Sequence, residues 1–290
     1  MWPRSWHARP QNPRWATKVR VTSVRAGFAY RQEVVVDPVS RTTTQTMPAA
    51  AAEPLHQGFF AHAHGAPDDV AVFGPTTRWT YGQLREQALA VSGALAVAGV
   101  RIGDRVAVVG PTGLDTVIAT LGILAAGGVC VPIDTADPAE PILDHTGVRM
   151  ALFTGDGPPN WLPALTVSEA LRIGARAGDV TPVRSEPGDP AFLGSVDDSG
   201  YAVVSHAAAR QAVVDLTGRL GVAGDDRIGA FSATGAAAPI LMMLVALTAG
   251  AGIVVADDAP RRNPERGMNG FALAVRHRDA VAALDTAVPS

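Results

Sequence analysis

Apolar residues along this chain gather in short, nearly unbroken runs. They form strand-length segments at Val106–Val109, Val129–Ile133, Met150–Phe153, Arg227–Phe231 and Ile253–Val255. None of these runs alternates strictly between apolar and polar, the pattern expected of strands whose two faces are both covered by helices. Two long uncharged stretches, Thr116–Ile133 of 18 residues and Ala233–Ala256 of 24, reach membrane-spanning length. Each is broken by a glycine turn, Ala125-Ala126-Gly127-Gly128 and Ala249-Gly250-Ala251-Gly252, followed by a β-branched run, and Pro239 interrupts the second. Helix, tight turn and buried strand is the reading that pattern favours over a bilayer span.

The two stretches belong to a repeat. Asp104-Arg105-Val106 through Thr112-Gly113 matches Asp226-Arg227-Ile228 through Thr234-Gly235 at an offset of 122 residues. Each copy then passes through its apolar helix and Ala-Gly turn to a strand ending at Asp134 or Asp257. Upstream, Gln87-Ala88 and Gln211-Ala212 lie in matching helices that end near Gly99 and Gly221. A strand–helix–strand unit requires a parallel pair with a right-handed crossover. Two copies predict an α/β fold of two related parallel-sheet subdomains with helices on both faces. Units of over 100 residues are duplicated subdomains rather than solenoid repeats. The expected organisation is an extension over 1–46, a first subdomain over 47–190 and a second over 191–290. A helix is predicted from Ser168 to Ala177. A last helix, Phe271–His277, and strand, Ala280–Val288, would leave a sheet edge through which two copies could pair.

Charge narrows the functional classes. Residues 1–46 hold Lys18 and seven arginines against Glu33 and Asp37, a net +6, whereas 47–290 hold sixteen arginines against 25 acidic groups, a net −9. The body therefore lacks the basic surplus of a nucleic-acid binder. The arm, with Trp2, Trp6 and Trp15 among its arginines, reads as a disordered extension or as sequence preceding a true start at Met47. Cys130 is the only cysteine, so neither a disulfide framework nor a thiolate metal cluster is expected. His62 and His64 point about 200° apart on a helix, which suits surface or capping roles better than metal binding. No secretory signal is present in the first 30 residues, and a cytoplasmic protein without membrane contact is expected.

Local motifs then carry a resemblance. Trp79-Thr80-Tyr81-Gly82-Gln83-Leu84 is similar to the "(L/W)TYxEL" motif of nonribosomal peptide synthetase adenylation domains, and Leu124 through Asp134 to their "LKAGxAYVPID". Leu55-His56-Gln57-Gly58-Phe59-Phe60 and Val288-Pro289-Ser290 fall where that family has similar text. The chain thus resembles the N-terminal part of an adenylate-forming (ANL superfamily) enzyme over residues 53–290. The resemblance implies an acetyl-CoA-synthetase-like fold, and a reaction in which a carboxylate attacks the α-phosphate of ATP before a thiol takes the acyl group. It also implies ATP and Mg²⁺ as cofactors, held in part by a loop "TSG(S/T)TGxPKG" whose N–H groups, hydroxyls and lysine cradle the phosphates.

Measured against that pattern, the loop is broken. Ala191 through His206 aligns at both ends with "AYVIYTSGSTGxPKGVxxSH" but is four residues shorter. Ser195, Asp197, Asp198, Ser199 and Gly200 are the remnant, without lysine or Pro-Lys-Gly. Asp197 and Asp198 set carboxylates where phosphates would lie, each like-charge pair costing about 4 kcal/mol at 4 Å and an effective dielectric of ~20. The family's "FDxS", whose Asp grips the substrate ammonium, corresponds to Ala236-Ala237-Ala238-Pro239, so the substrate position is lost at Ala237 and Pro239. The chain also stops near the middle of a normal adenylation domain, before the family's ribose-binding Asp and catalytic Lys. No catalytic residue, no bound metal and no bound nucleotide are expected. The resulting expectation is an inactive adenylation domain that binds protein: a synthetase module, a carrier protein or an MbtH-like partner. The alternatives are an active adenylating ligase completed by a second chain, and a decayed gene.

Overall fold

The structure, a computed structural model, describes residues 17–25, 28–36, 53–74, 77–133, 142–143, 146–155, 162–195, 201–229 and 237–255, with the backbone alone at 17–25, 28–36, 195 and 237–239. The chain divides into two units, residues 1–46 with 195–200, and the rest. In the first, strands β1 (Thr17–Arg25) and β2 (Phe28–Val36) pair antiparallel, Val19 opposite Val34 and Val21 opposite Gln32. The sequence reading placed no regular structure here. The β-branched content of both runs, Val19, Val21, Val24 and Val34–Val36, is what a strand pair favours.

The second unit holds both copies of the repeat. A six-stranded sheet has the order β10-β9-β6-β5-β7-β8 and a four-stranded sheet the order β11-β12-β3-β4. Here β3 is Val70–Phe73, β4 Arg78–Thr80, β5 Arg105–Val109, β6 Val129–Ile133, β7 Met150–Phe153 and β8 Ala164–Thr166. The remainder are β9 Pro190–Ser195, β10 Tyr201–Ser205, β11 Arg227–Gly229 and β12 Gly252–Val254. The helices are α1 Gln57–Gly65, α2 Tyr81–Val97, α3 Leu114–Ala125, α4 Val167–Gly174, α5 His206–Leu220 and α6 Ala237–Thr248. As the repeat requires, β5 pairs parallel with β6 across α3, and β11 pairs parallel with β12 across α6. β3 and β4 join the sheet of the second copy, while β9 and β10 join that of the first. α4 ends at Gly174, three residues short of the predicted Ala177.

The correspondence between copies extends to single hydrogen bonds. Asp104 accepts from Arg101 N–H and Asp226 from Ala223 N–H, both at 2.9 Å, closing the same turn before each strand. At the helix ends, Gly127 (φ +74°) lets Gly128 N–H reach Ile123 C=O, and Gly250 (φ +77°) lets Ala251 N–H reach Ala246 C=O, each at 2.9 Å. Left-handed glycines of this kind satisfy carbonyls that the helix itself cannot. α2 starts on a capping box in which Thr80 Oγ1 accepts from Gln83 N–H at 3.2 Å and Gln83 Oε1 from Thr80 N–H at 3.0 Å.

Burial explains the unbroken apolar runs. From β5, Val106 and Val108 enter the main core with α2 and α3, while Ala107 and Val109 face a second cluster with Val129, Val131 and Leu143. The main core is continuous across both sheets, containing Leu152 as well as Ile228 and Ile253. Cys130 is fully buried, and burial pushes its thiol up to about 12, so it is inert at neutral pH. The predicted elements Phe271–His277 and Ala280–Val288 lie outside the described residues. None of the helices in the described part is long and apolar enough to cross a membrane.

Candidate functional site

β9 runs parallel to β6, Phe192 opposite Cys130, so it delivers Ser195 to the end of the sheet where Ile133, Val109 and Phe153 also emerge. Carboxyl ends of parallel strands are where open α/β sheets bind ligands. In the chain, β9 precedes the candidate loop and β10 follows it. Ser195 is the last residue of β9; Asp197, Asp198, Ser199 and Gly200 lie outside the described residues.

At the carboxyl end of β5, the turn from β5 to α3 is tightly held. Gly110 adopts φ +137°, and a Cβ there would strike Thr154 Oγ1. Thr154 and Thr116 hydroxyls both donate to Pro111 C=O, at 3.2 and 2.8 Å, and Thr116 Oγ1 accepts from Gly113 N–H at 3.2 Å. These bonds occupy the Gly113 N–H and both hydroxyls within the turn. Asp115 sits in that first turn, and burial raises its carboxyl above the ordinary value. Anion binding gains nothing from it.

The other candidate positions, Ala237 and Pro239, fall in the first turn of α6, the helix that follows β11 in the chain. No acidic residue lies in that turn. Proline is tolerated there because the first N–H groups of a helix have no intrahelical acceptor. Residues 230–236, which connect β11 to α6, lie outside the described part. Among the described residues no group of three or more His, Cys, Asp and Glu is placed to hold a metal ion.

The residue that links the two copies was not singled out by sequence. Tyr81, which opens α2, is fully buried, and its hydroxyl lies 2.7 Å from Ala251 C=O and 3.2 Å from Leu247 C=O. Burial raises its phenol well above the ordinary range, so it remains a donor. Two histidines were likewise missed. His206, first residue of α5, is 1% exposed and His56 is 2% exposed, with ring centroids 5.5 Å apart. Both lie inside the motif text quoted above, but their burial depends on contacts 150 residues apart in sequence, of which periodicity carries no trace. His62, expected on the surface or at a cap, packs on Tyr81 with ring centroids 4.3 Å apart and planes inclined by 60°, its Nε2 3.4 Å from Asp69.

With the geometry in view, the comparisons are specific. Residues 59–192 match the family described as AMP-binding enzyme. Phenyloxazoline synthase MbtB of Mycobacterium sp. (strain MCS) is 44% identical over 241 residues, covering 81% of this chain and 20% of that protein. Pyochelin synthetase PchE of Pseudomonas aeruginosa is 36% identical over 245 residues, covering 82% of this chain and 16% of that protein. Among solved structures, the nonribosomal peptide synthetase FmoA3 (S1046A) in its AMPPNP-bound form superposes with a TM-score of 0.67 and 31% identity, covering 76% of this chain and 24% of that one. The chain spans about a fifth or less of the length of these curated relatives.

Proposed function

The chain belongs to the AMP-binding enzymes, as an adenylation-domain-like segment of nonribosomal peptide synthetase type, and from that premise we propose that it does not activate a carboxylate but serves as a protein-binding element of a synthetase system. The observation that carries the reading is the donor set at the carboxyl end of the sheet. ATP with Mg²⁺ requires cations and free N–H groups at the phosphates. Residues 47–290 contain no lysine, the loop after β9 carries Asp197 and Asp198, and at the start of α3 the Gly113 N–H and the Thr116 hydroxyl are bonded within the turn. The first turn of α6 offers no carboxylate to an ammonium group. These residues do not fit a nucleoside triphosphate and an amino acid, so no reaction step is assigned to them. The partners that suit the reading are a carrier domain, a neighbouring synthetase module or an MbtH-like protein, in the cytoplasm.

Titration calorimetry with ATP and Mg²⁺ tests this. No binding is expected at millimolar nucleotide; a dissociation constant below about 100 μM, near −5.5 kcal/mol, overturns the proposal. Pyrophosphate exchange measured alone and with an added synthetase chain separates the rival reading, because an adenylating ligase completed in trans would gain exchange only in the mixture.

A further inference from the structure

We propose that His56 and His206 form an acid-sensitive latch holding the start of the body, residues 53–65, against the amino end of α5. His206 Nδ1 accepts the N–H of Leu55 at 3.3 Å. An imidazole can accept there only while that nitrogen carries no proton, so the bond exists for the neutral ring alone. His56 meets His206 edge to face at 5.5 Å and Phe60 at 5.9 Å, and its own Nδ1 is buried without a hydrogen-bond partner. A proton added to either ring places a cation in an apolar setting against the other ring.

The groups facing the pair do little to offset that. Asp189, in the turn before β9, takes the His206 backbone N–H on its own carbonyl at 2.9 Å, and among the described residues its carboxylate is the group whose charge favours a protonated His206. On the other side Glu53 and Arg210 of α5 pair at 3.2 Å, so their charges largely cancel. Burial holds His56 down at about 4, with His206 adding to the effect, and burial also lowers His206 in spite of Asp189. Both lie below the ordinary histidine value near 6.5. The neutral, closed form is therefore fully favoured above that pH and loses ground as pH falls towards 4. Opening would expose Leu55 and Phe59, both fully buried when the segment is closed. This inference is independent of the proposed loss of nucleotide activation.

Hydrogen exchange of the full chain at pH 7.5 and 5.0, corrected for intrinsic amide rates, tests the latch. Protection of residues 53–65 is expected to fall roughly thirty-fold relative to residues 105–133, the factor that one histidine shifted from 6.5 to about 4 supplies over that interval. The double variant His56→Phe/His206→Asn keeps the aromatic edge and an acceptor near the Nδ1 position without a titrating ring. It should hold its protection within about three-fold over the same range. Equal acid loosening in the double variant, or wild-type loss that tracks residues 105–133, overturns the proposal. Should the double variant not fold, the wild-type profile decides. Local opening that begins below about pH 6.5 supports the latch, and opening confined to pH below about 4.5, where carboxylates titrate, overturns it.

Discussion

Gly174→Ala is expected to destabilise the protein by about 3 kcal/mol or more, the opposite of the usual gain near 0.5–1 kcal/mol when glycine in a helix becomes alanine. Gly174 closes α4 where that helix crosses α2. A Cβ built there meets the backbone of Ala90, its Cα at 2.7 Å and its carbonyl closer still. A flexible side chain could swing aside, but a helix backbone must move as a whole. α2 is not free to do so, being fixed at its start by the Thr80–Gln83 box and on its other side by Gly122 of α3. A Cβ at Gly122 would lie only 2.6 Å from Val91 of α2. At 2–4 °C of melting temperature per kcal/mol for a domain of this size, the variant should melt roughly 6–12 °C below wild type. Gly218→Ala in α5 is the control, since nothing lies within 4 Å of its added methyl. That variant should gain slightly. A Gly174→Ala protein as stable as wild type would mean that α2 and α4 do not cross as closely as described.

The contrast between these glycines marks how far local sequence reaches. Strand and helix positions were legible because both faces of β5, β6 and β7 are buried, which leaves continuous apolar runs in the text. The duplication was legible because Asp104 and Asp226 perform one task, closing the turn before a strand, and each must be followed by the same kind of strand and helix. Sheet membership was not. Nothing in Val70–Phe73 says that Ile253 and Val254 of β12 will lie along its other edge, opposite the one taken by β4, and the exchange of β3, β4, β9 and β10 between sheets is decided by pairing over long separations. Of the candidate site, the sequence names residue types, and their placement depends on the strands and helices that carry them. Parallel pairing of β9 with β6 fixes where β9 ends, and Ala237 and Pro239 fall in the first turn of α6, which holds no acidic residue. The latch histidines and the Tyr81 hydroxyl stayed hidden for a common reason: a polar atom in a core acquires its meaning from a partner that is remote in the chain.

Tyr81 offers the sharpest measure of that remote pairing. Its hydroxyl has one proton and two carbonyls in reach, Ala251 at 2.7 Å and Leu247 at 3.2 Å. Leu247 belongs to the last turn of α6, whose carbonyls have no intrahelical donor, and Ala251 follows the left-handed Gly250. One side chain at the start of the first copy therefore completes the helix end and turn of the second. Tyr81→Phe keeps the ring among Phe59 and His62 and removes only the donor. It should cost about 1–3 kcal/mol, because two buried carbonyls lose their partner and water cannot replace it. Tyr81→Ala also empties the ring volume of a residue that is 0% exposed and should cost about 3–5 kcal/mol, a melting temperature lower by roughly 6–20 °C. Urea denaturation of the three proteins separates the two contributions. A Tyr81→Phe midpoint equal to wild type would show that the hydroxyl bonds add nothing, leaving hydrophobic contact alone to join the copies. A phenylalanine variant as unstable as the alanine variant would place the whole effect in the hydrogen bonds. The intermediate value expected here requires both, and hydrogen exchange should then show the added loss of protection at Gly252–Val254 of β12 before it reaches Arg105–Val109 of β5.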